Sequence, residues 1–203
     1  MNLNEKTARR DLIVRAAANV FAEKGFNNTL MVDIARTAGI GKGTIYEYFR
    51  SKDDLFLAVF DYFVQKLNES SVTVTTLALD SAADRLDALS RSIAAWVIRH
   101  RDIYTLTLEF WAASVTGSAE MREKLKMAFQ DIYRKFRLLC ASIINDGIGR
   151  GEFRAGIDSE AIASAIVGSW DGLCLQSWFE DDFDIEKTIA AYTDTLLRGL
   201  LTA

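Results

Sequence analysis

Residues 28–52 read NTLMVDIARTAGIGKGTIYEYFRSK, in which two short helical segments flank a turn bounded by glycines. The apolar face of the first segment consists of Val32, Ile34, Ala35 and Ala38. Gly39 then stands where a helix of L-residues needs a left-handed exit. In the second segment, Ile45 and Phe49 fall four residues apart on one face. This is the layout of a helix-turn-helix.

The second segment begins with small, polar or cationic residues, from Gly41 to Thr44. A helix that starts in this way can approach a phosphate backbone closely, while Ile45 and Phe49 hold it to the rest of the domain. Its exposed face is then able to enter a major groove.

The composition is that of an ordinary globular protein, with 203 residues, 50% hydrophobic and 26% charged. The polar N-terminus lacks the apolar run of a signal peptide, and no stretch approaches the ~18 apolar residues of a membrane span. We expect a cytoplasmic protein without a membrane segment. Cys140 and Cys174 lie in apolar helical contexts and are predicted to be buried, reduced thiols.

Charge is distributed unevenly along the chain. Residues 1–52 hold nine Lys or Arg against five Asp or Glu, a balance of +4, and the remainder holds 15 basic and 23 acidic residues, a balance of -8. A basic end attached to an acidic body is typical of a protein that presents one end to a polyanion. Chance variation in surface charge is the alternative explanation.

The pattern predicts an all-α protein, because prolines are absent and glycines fall between segments of helical periodicity. We expect about nine helices, arranged as a three-helix domain over residues 1–52 and a larger helical bundle over residues 53–203. The first helix is predicted from Thr7, as N-cap, to Lys24. Ser51 and Asp158 are predicted to cap later helices. The segment 70–80 is predicted to be a loop or a frayed helix end, although its β-branched residues would also suit a strand.

The last two helices are predicted over residues 159–179 and about 184–200. The first of these helices is apolar or small nearly all round. One amphipathic neighbour cannot cover all of its apolar surface. We expect the same two helices of a second subunit to supply that cover in a four-helix bundle about a two-fold axis. A helix buried entirely within its own monomer is the alternative. Two-fold symmetry also suits a palindrome whose half-sites are spaced by one or more helical turns of ~34 Å.

Patterns typical of enzymes and metal sites are absent. The chain has no Glu-x-x-His or Cys-x-x-Cys, and its one histidine, His100, lies at a cationic helix end. The turn GIGRGEFRAG lacks the Gly-Lys-Ser or Gly-Lys-Thr ending of a phosphate loop. We therefore expect no catalytic residues, no metal and no cofactor.

Two stretches of the sequence resemble the N-terminal domain of the TetR family of bacterial transcriptional regulators. They are TARRDLIVRAAANVFAEKGF and TLMVDIARTAGIGKGTIYEYFRSKDDLF. The resemblance implies an all-helical homodimer, usually a repressor, that binds a double-stranded DNA operator at the nucleoid. It also implies a C-terminal domain that binds a small-molecule effector and changes the spacing of the two DNA-reading heads. A helical interaction protein that kept the motif without reading DNA is the alternative.

Transferred to this sequence, the resemblance implies phosphate contacts by Thr29, Lys42 and Lys52, and a close backbone approach at Gly43. Thr44 and Tyr46 match positions that touch bases or phosphates. Tyr48 stands where many members have His, so a backbone contact is altered there. Glu47 either accepts from a cytosine amino group or repels phosphate.

For the effector, we look to large side chains in the helices after Asp80. The predicted ligand residues are Trp96, Glu109, Phe110, Trp111, Phe129, Tyr133, Trp170 and Asp171. Many large rings in one bundle suit a flat or greasy molecule, and the two carboxylates would suit a cationic one. The alternatives are that the rings form plain core and that Glu109 or Asp171 is a hydrogen-bonded structural acid.

Overall fold

A computed structural model of the protein describes residues 3–75 and 79–202, without the side chains of residues 3, 69–75 and 102–104. Within these ranges the chain forms nine α-helices and no strand, which confirms the predicted fold class. The helices are α1 (Leu3–Asn28), α2 (Met31–Thr37), α3 (Lys42–Tyr48), α4 (Lys52–Thr75), α5 (Ala82–Arg99), α6 (Arg101–Thr116), α7 (Ala119–Gly149), α8 (Ser159–Phe179) and α9 (Ile185–Leu200). Across these ranges, no helix combines the length and the apolar character that crossing a membrane requires.

Helix ends follow the sequence signals in most places. Gly25 follows Lys24, the predicted last residue of the first helix, and interrupts α1 with a φ of 74°. The hydroxyl oxygen of Ser51 accepts from Asp54 N at 3.0 Å, and the Asp158 carboxylate accepts from Ala161 N at 3.0 Å. The predicted start at Thr7 is wrong, because α1 already begins at Leu3.

The segment predicted as a loop or frayed helix end is helical as far as Thr75, where α4 ends. Residues 76–78 lie outside the described part of the chain. Both cysteines are buried and free, as predicted, and burial raises the pKa of the Cys140 thiol to about 12.

The chain divides into two compact units, of which the first contains Met1–Lys66 and His100–Ala128. Phenylalanine rings from α1, α4 and α6 form its centre, with neighbouring ring centroids 4.5–6.2 Å apart. The rings are those of Phe21, Phe26, Phe56, Phe60, Phe63 and Phe110. This unit extends beyond the predicted limit at residue 52, because α4 and α6 share the ring cluster with α1. The predicted division into functional domains stays a prediction.

The second unit contains Leu67–Arg99 and Phe129–Ala203. In this unit, the loop between α7 and α8 contacts the start of α5 and the residue that follows α9. The Glu152 carboxylate accepts from Ala82 N and Ala83 N, each at 2.8 Å, and so caps α5. Phe153 is 1% exposed and pairs with Leu201 in an isolated bridge after α9. The glycine-rich turn is therefore a structural element of this unit.

Candidate nucleic-acid interface

The turn between α2 and α3 has the geometry that the sequence predicted. Gly39 adopts a φ of 65°, and the N–H of Ile40 donates to Ala35 O at 2.9 Å, which closes the end of α2. Gly41 is the extended N-cap of α3, with φ -69° and ψ 151°. The chain thus leaves α2, turns within four residues and enters α3.

Apolar contacts hold α3 in place from one side. Ile45 and Phe49 are 0% and 1% exposed, as predicted, and the Arg10 guanidinium lies 5.1 Å from the centre of the Phe49 ring. On α2, Ile34 and Ala35 are buried, but Val32 is 47% exposed. The prediction that Val32 belongs to the buried face is wrong, because the buried residues of α2 are Met31, Ile34 and Ala35.

The opposite side of α3 is open. Lys42, Gly43, Tyr46 and Glu47 are exposed, and Thr44 and Tyr48 are half-buried. Among the described residues, none forms an ion pair with the Lys42 ammonium. A Cβ placed on Gly43 would meet no atom within 4 Å, so internal packing does not require a glycine there. The predicted contact face of α3 is therefore exposed and is not occupied by other parts of the described chain.

Two predicted phosphate contacts do not fit the geometry. Thr29 is 0% exposed, and its hydroxyl donates to Gly25 O at 2.8 Å within the end of α1. Its side chain therefore binds the protein's own backbone and is not placed to reach a phosphate. Thr29 also does not cap α2, since the N-cap of that helix is Leu30.

Lys52 likewise acts inside the protein. Its ammonium donates to three backbone carbonyls, those of Phe26 (2.7 Å), Thr29 (3.0 Å) and Asn27 (3.3 Å). It also lies 4.4 Å from the centre of the Phe26 ring. The ammonium is thus a cap for the carbonyls at the end of α1, which corrects the predicted role of Lys52 as a phosphate ligand.

Asp33 forms one ion pair that joins α2 to α1 and one within α2. The Asp33 carboxylate lies 3.2 Å from the Lys24 ammonium and 2.9 Å from the Arg36 guanidinium. The hydrogen bond with Lys24 is the main cause that lowers the pKa of Asp33, with smaller contributions from Leu30 N and from Arg36. An ionised Asp33 fixes α2 to α1, and Arg36 remains at the surface.

Three of the predicted effector residues belong to the first unit, namely Glu109, Phe110 and Trp111. The Glu109 carboxylate accepts from the N–H of Phe26 at 3.1 Å, so it is a structural acid at the end of α1. Phe110 is 0% exposed inside the ring cluster. The contacts seen for these two residues are made within the protein, and their effector-binding roles stay predictions. Trp111 is half-buried and stays a prediction.

The other five predicted effector residues belong to the second unit. The Tyr133 hydroxyl hydrogen-bonds to the Asp171 carboxylate. Burial raises the pKa of Asp171 and outweighs this hydrogen bond, which lowers it. The Trp170 ring meets Phe136 edge-on at 6.2 Å, and its Nε1 is buried without an acceptor among the described residues. Trp96 is 4% exposed and Phe129 is half-buried.

The sequence did not indicate the groove between α7 and α8 that is described below. It is lined by Arg137 and Glu160 among others. Arg134 and Arg137 lie three residues apart on α7, and this spacing places both side chains on one face of the helix. It does not predict that α8 forms the other wall of the groove.

Comparison with known proteins identifies both parts of the chain. Residues 13–59 match the family model of bacterial regulatory proteins of the tetR family, and residues 64–201 match the C-terminal domain of BetI-type transcriptional repressors. The fatty acid metabolism regulator protein of Bacillus subtilis (strain 168) is 24% identical over 205 residues, covering 98% of each chain.

Two solved structures share the fold. A TetR transcriptional regulator from Chloroflexus aurantiacus superimposes with a TM-score of 0.83 at 22% identity, covering 98% of each chain. The transcriptional regulator FadR from Bacillus subtilis, solved in complex with stearoyl-CoA, gives a TM-score of 0.74 at 23% identity, over 93% of this chain and 98% of FadR.

Proposed function

Because the chain belongs to the TetR family of bacterial transcriptional regulators, we propose that it is a repressor that leaves its operator when a small molecule binds. It is a DNA-binding transcriptional regulator. The observation that carries the proposal is the open face of α3, where Lys42, Gly43 and Tyr46 are exposed above a buried Ile45. As such a regulator it would act at the nucleoid, in the bacterial cytoplasm.

In the proposed complex, Lys42 binds a phosphate and the backbone at Gly43 approaches the DNA closely. Thr44 and Tyr46 touch bases or phosphates, and Tyr48 makes an altered backbone contact. The +4 balance of residues 1–52 adds a sequence-independent attraction that salt weakens.

A gel-shift experiment with the gene's own upstream region tests this role. The variant carrying both Lys42→Ala and Tyr46→Ala is expected to lose specific binding, because it removes two contacts from each head. Lys126→Ala, which removes an exposed cation from α7, is the matched control and should bind as the wild type does. Absence of specific binding even at about 50 mM salt would favour the interaction protein instead.

We propose that the dimer forms through α8 and α9. The exposed side of α8 is small and uncharged over three turns, at Ala161, Ala165, Gly168 and Gly172. A Cβ at either glycine would meet nothing within 4 Å, so another helix can approach closely there. Phe179, at the end of the same side, is 68% exposed.

Light scattering of the full-length protein tests the dimer. The wild type should have twice the monomer mass of 22.7 kDa. Gly172→Arg is expected to shift the protein to monomers, because it places two charges at the proposed two-fold interface. Gly149→Arg, at the exposed end of α7, is the matched control. A wild-type monomer at micromolar concentration would contradict the bundle.

For the effector, we propose a site in the second unit that uses Trp96, Phe129, Tyr133, Trp170 and Asp171. Support comes from Trp170 Nε1, a buried donor that lacks an acceptor among the described residues and that a ligand oxygen would satisfy. FadR of Bacillus subtilis was solved with stearoyl-CoA, so a fatty acyl thioester is the first effector class to test.

Stearoyl-CoA is expected to release the protein from its upstream region. Trp170→Phe keeps a ring and removes the N–H, so it should weaken the response while leaving DNA binding unchanged. Trp178→Phe, on the same helix, is the matched control. Full retention of the DNA complex with stearoyl-CoA in excess would exclude this effector class.

A further inference from the structure

A polar groove of about 560 Å³ lies in the second unit, between one face of α7 and the first turns of α8. Its volume falls within the range of about 300–1,000 Å³ that is usual for small-molecule sites. The polar side chains that line it are those of Arg134, Arg137, Ser142, Asn145, Glu160 and Ser164. None of them belongs to the effector site proposed above.

The two helices run antiparallel along the groove, which sets its polarity. Tyr133 of α7 hydrogen-bonds to Asp171 of α8, and residues later on α7 share the groove with residues earlier on α8. Arg137 therefore lies towards one end, whereas Asn145 and Glu160 lie towards the other. Eight residues of α-helix separate Arg137 from Asn145, which corresponds to about 12 Å.

Opposite charges thus face the same groove without meeting each other. Among the described residues, no ion pair engages the Arg137 guanidinium or the Glu160 carboxylate. The neighbouring Arg134 differs, since it pairs with Asp131 on its own helix. Between the charged ends, Leu138 and Ala141 provide an apolar wall. The groove has a cationic end, an apolar middle and an anionic end.

We propose that this groove binds an elongated small molecule with a carboxylate or phosphate at one end and a protonated amine at the other. The guanidinium of Arg137 presents a planar fork of N–H donors that matches a carboxylate or phosphate in a bidentate geometry. Glu160 receives the amine, with the Asn145 side-chain oxygen as a second acceptor. The carbon chain lies along Leu138 and Ala141.

Calorimetric titration of the full-length protein with 8-aminooctanoate and with octanoate tests the proposal. These probes share the carboxylate and the carbon chain, and they differ in the terminal amine. The wild type should bind 8-aminooctanoate about fivefold more tightly, because an exposed ion pair contributes up to about 1 kcal/mol. Glu160→Gln should abolish that difference. Arg137→Gln should weaken both probes by about threefold to fivefold.

Arg154→Gln removes an exposed guanidinium outside the groove and is the control for net charge. It should leave both affinities unchanged. Equal affinity of the two probes for the wild type, or no saturable binding of 8-aminooctanoate, would overturn the proposal. The proposal would also be overturned if Arg137→Gln changed the dimer equilibrium and left probe affinity unchanged. A second copy of the chain would then cover the groove.

Discussion

Replacing Gly43 with alanine tests whether the start of α3 needs a glycine for folding or for close approach to DNA. Gly43 is exposed, its φ lies outside the left-handed region, and an added Cβ would meet no atom within 4 Å. The fold therefore accepts alanine, which is favoured over glycine inside a helix by up to about 1 kcal/mol. We expect the free energy of unfolding to rise by about 0.5–1 kcal/mol.

Operator affinity should change in the opposite direction. If the backbone at Gly43 approaches a phosphate, a methyl group in that space costs the charge-assisted hydrogen bond of the backbone N–H, about 1.5 kcal/mol per head. In the proposed homodimer both heads lose this bond, so the loss is about 3 kcal/mol, or roughly 100-fold in affinity. A more stable protein that binds DNA more weakly would show that Gly43 serves DNA binding and is not needed for folding.

Urea unfolding and fluorescence anisotropy with a labelled upstream fragment measure the two effects. Gly149→Ala is the matched control, since an added Cβ there also meets nothing within 4 Å and the residue lies at the end of α7. It should leave operator affinity unchanged. Wild-type affinity of Gly43→Ala would refute the close approach, and a loss of stability would show that the glycine serves the fold.

Three further predictions concern contacts within the protein. Glu109→Ala should lower the free energy of unfolding by about 1–2 kcal/mol, because the N–H of Phe26 loses its acceptor, whereas Glu109→Gln should retain most of it in urea titrations. Lys52→Ala removes the ammonium donor from the carbonyls of Phe26, Asn27 and Thr29. We therefore expect the free energy of unfolding to fall by about 2 kcal/mol and the Tm to fall by roughly 4–8 °C in thermal denaturation. An unchanged Tm would contradict the capping role. Desolvation raises the pKa of Glu152, but hydrogen bonds, that from Ala83 N first, outweigh it and hold the pKa below its ordinary 4.5. The stability that Glu152 contributes is present above that value and is lost as the pH falls through the lowered pKa; unfolding titrations of Glu152→Gln should therefore show a weaker loss of stability in acid.

Sequence patterns were sufficient where a residue acts on its immediate neighbours. The left-handed conformation of Gly39 and the caps at Ser51 and Asp158 all lie within a few residues of the backbone groups that they serve. Helical periodicity likewise predicted the burial of Ile45 and Phe49. These local rules account for the helix-turn-helix and for the all-helical fold.

Contacts between distant residues could not be predicted in this way. Glu109 is 83 residues from Phe26, and no local rule brings α6 to the end of α1. Lys52 has the charge of a phosphate ligand, but tertiary packing brings its ammonium to the carbonyls of α1. The sequence shows which residues carry charge. Only the fold shows which of those charged groups already hydrogen-bond to other parts of the protein.

The salt dependence of operator binding by the wild type and by Lys42→Ala shows whether the start of α3 binds DNA phosphates. Affinity would be measured between about 50 and 200 mM salt, with Lys126→Ala as control. Each phosphate contact contributes about 0.9 to the slope of log affinity against log salt, and a dimer has two Lys42 side chains. We predict that Lys42→Ala makes the slope shallower by about 2 and that Lys126→Ala leaves it unchanged. Identical slopes for Lys42→Ala and the wild type would contradict the account.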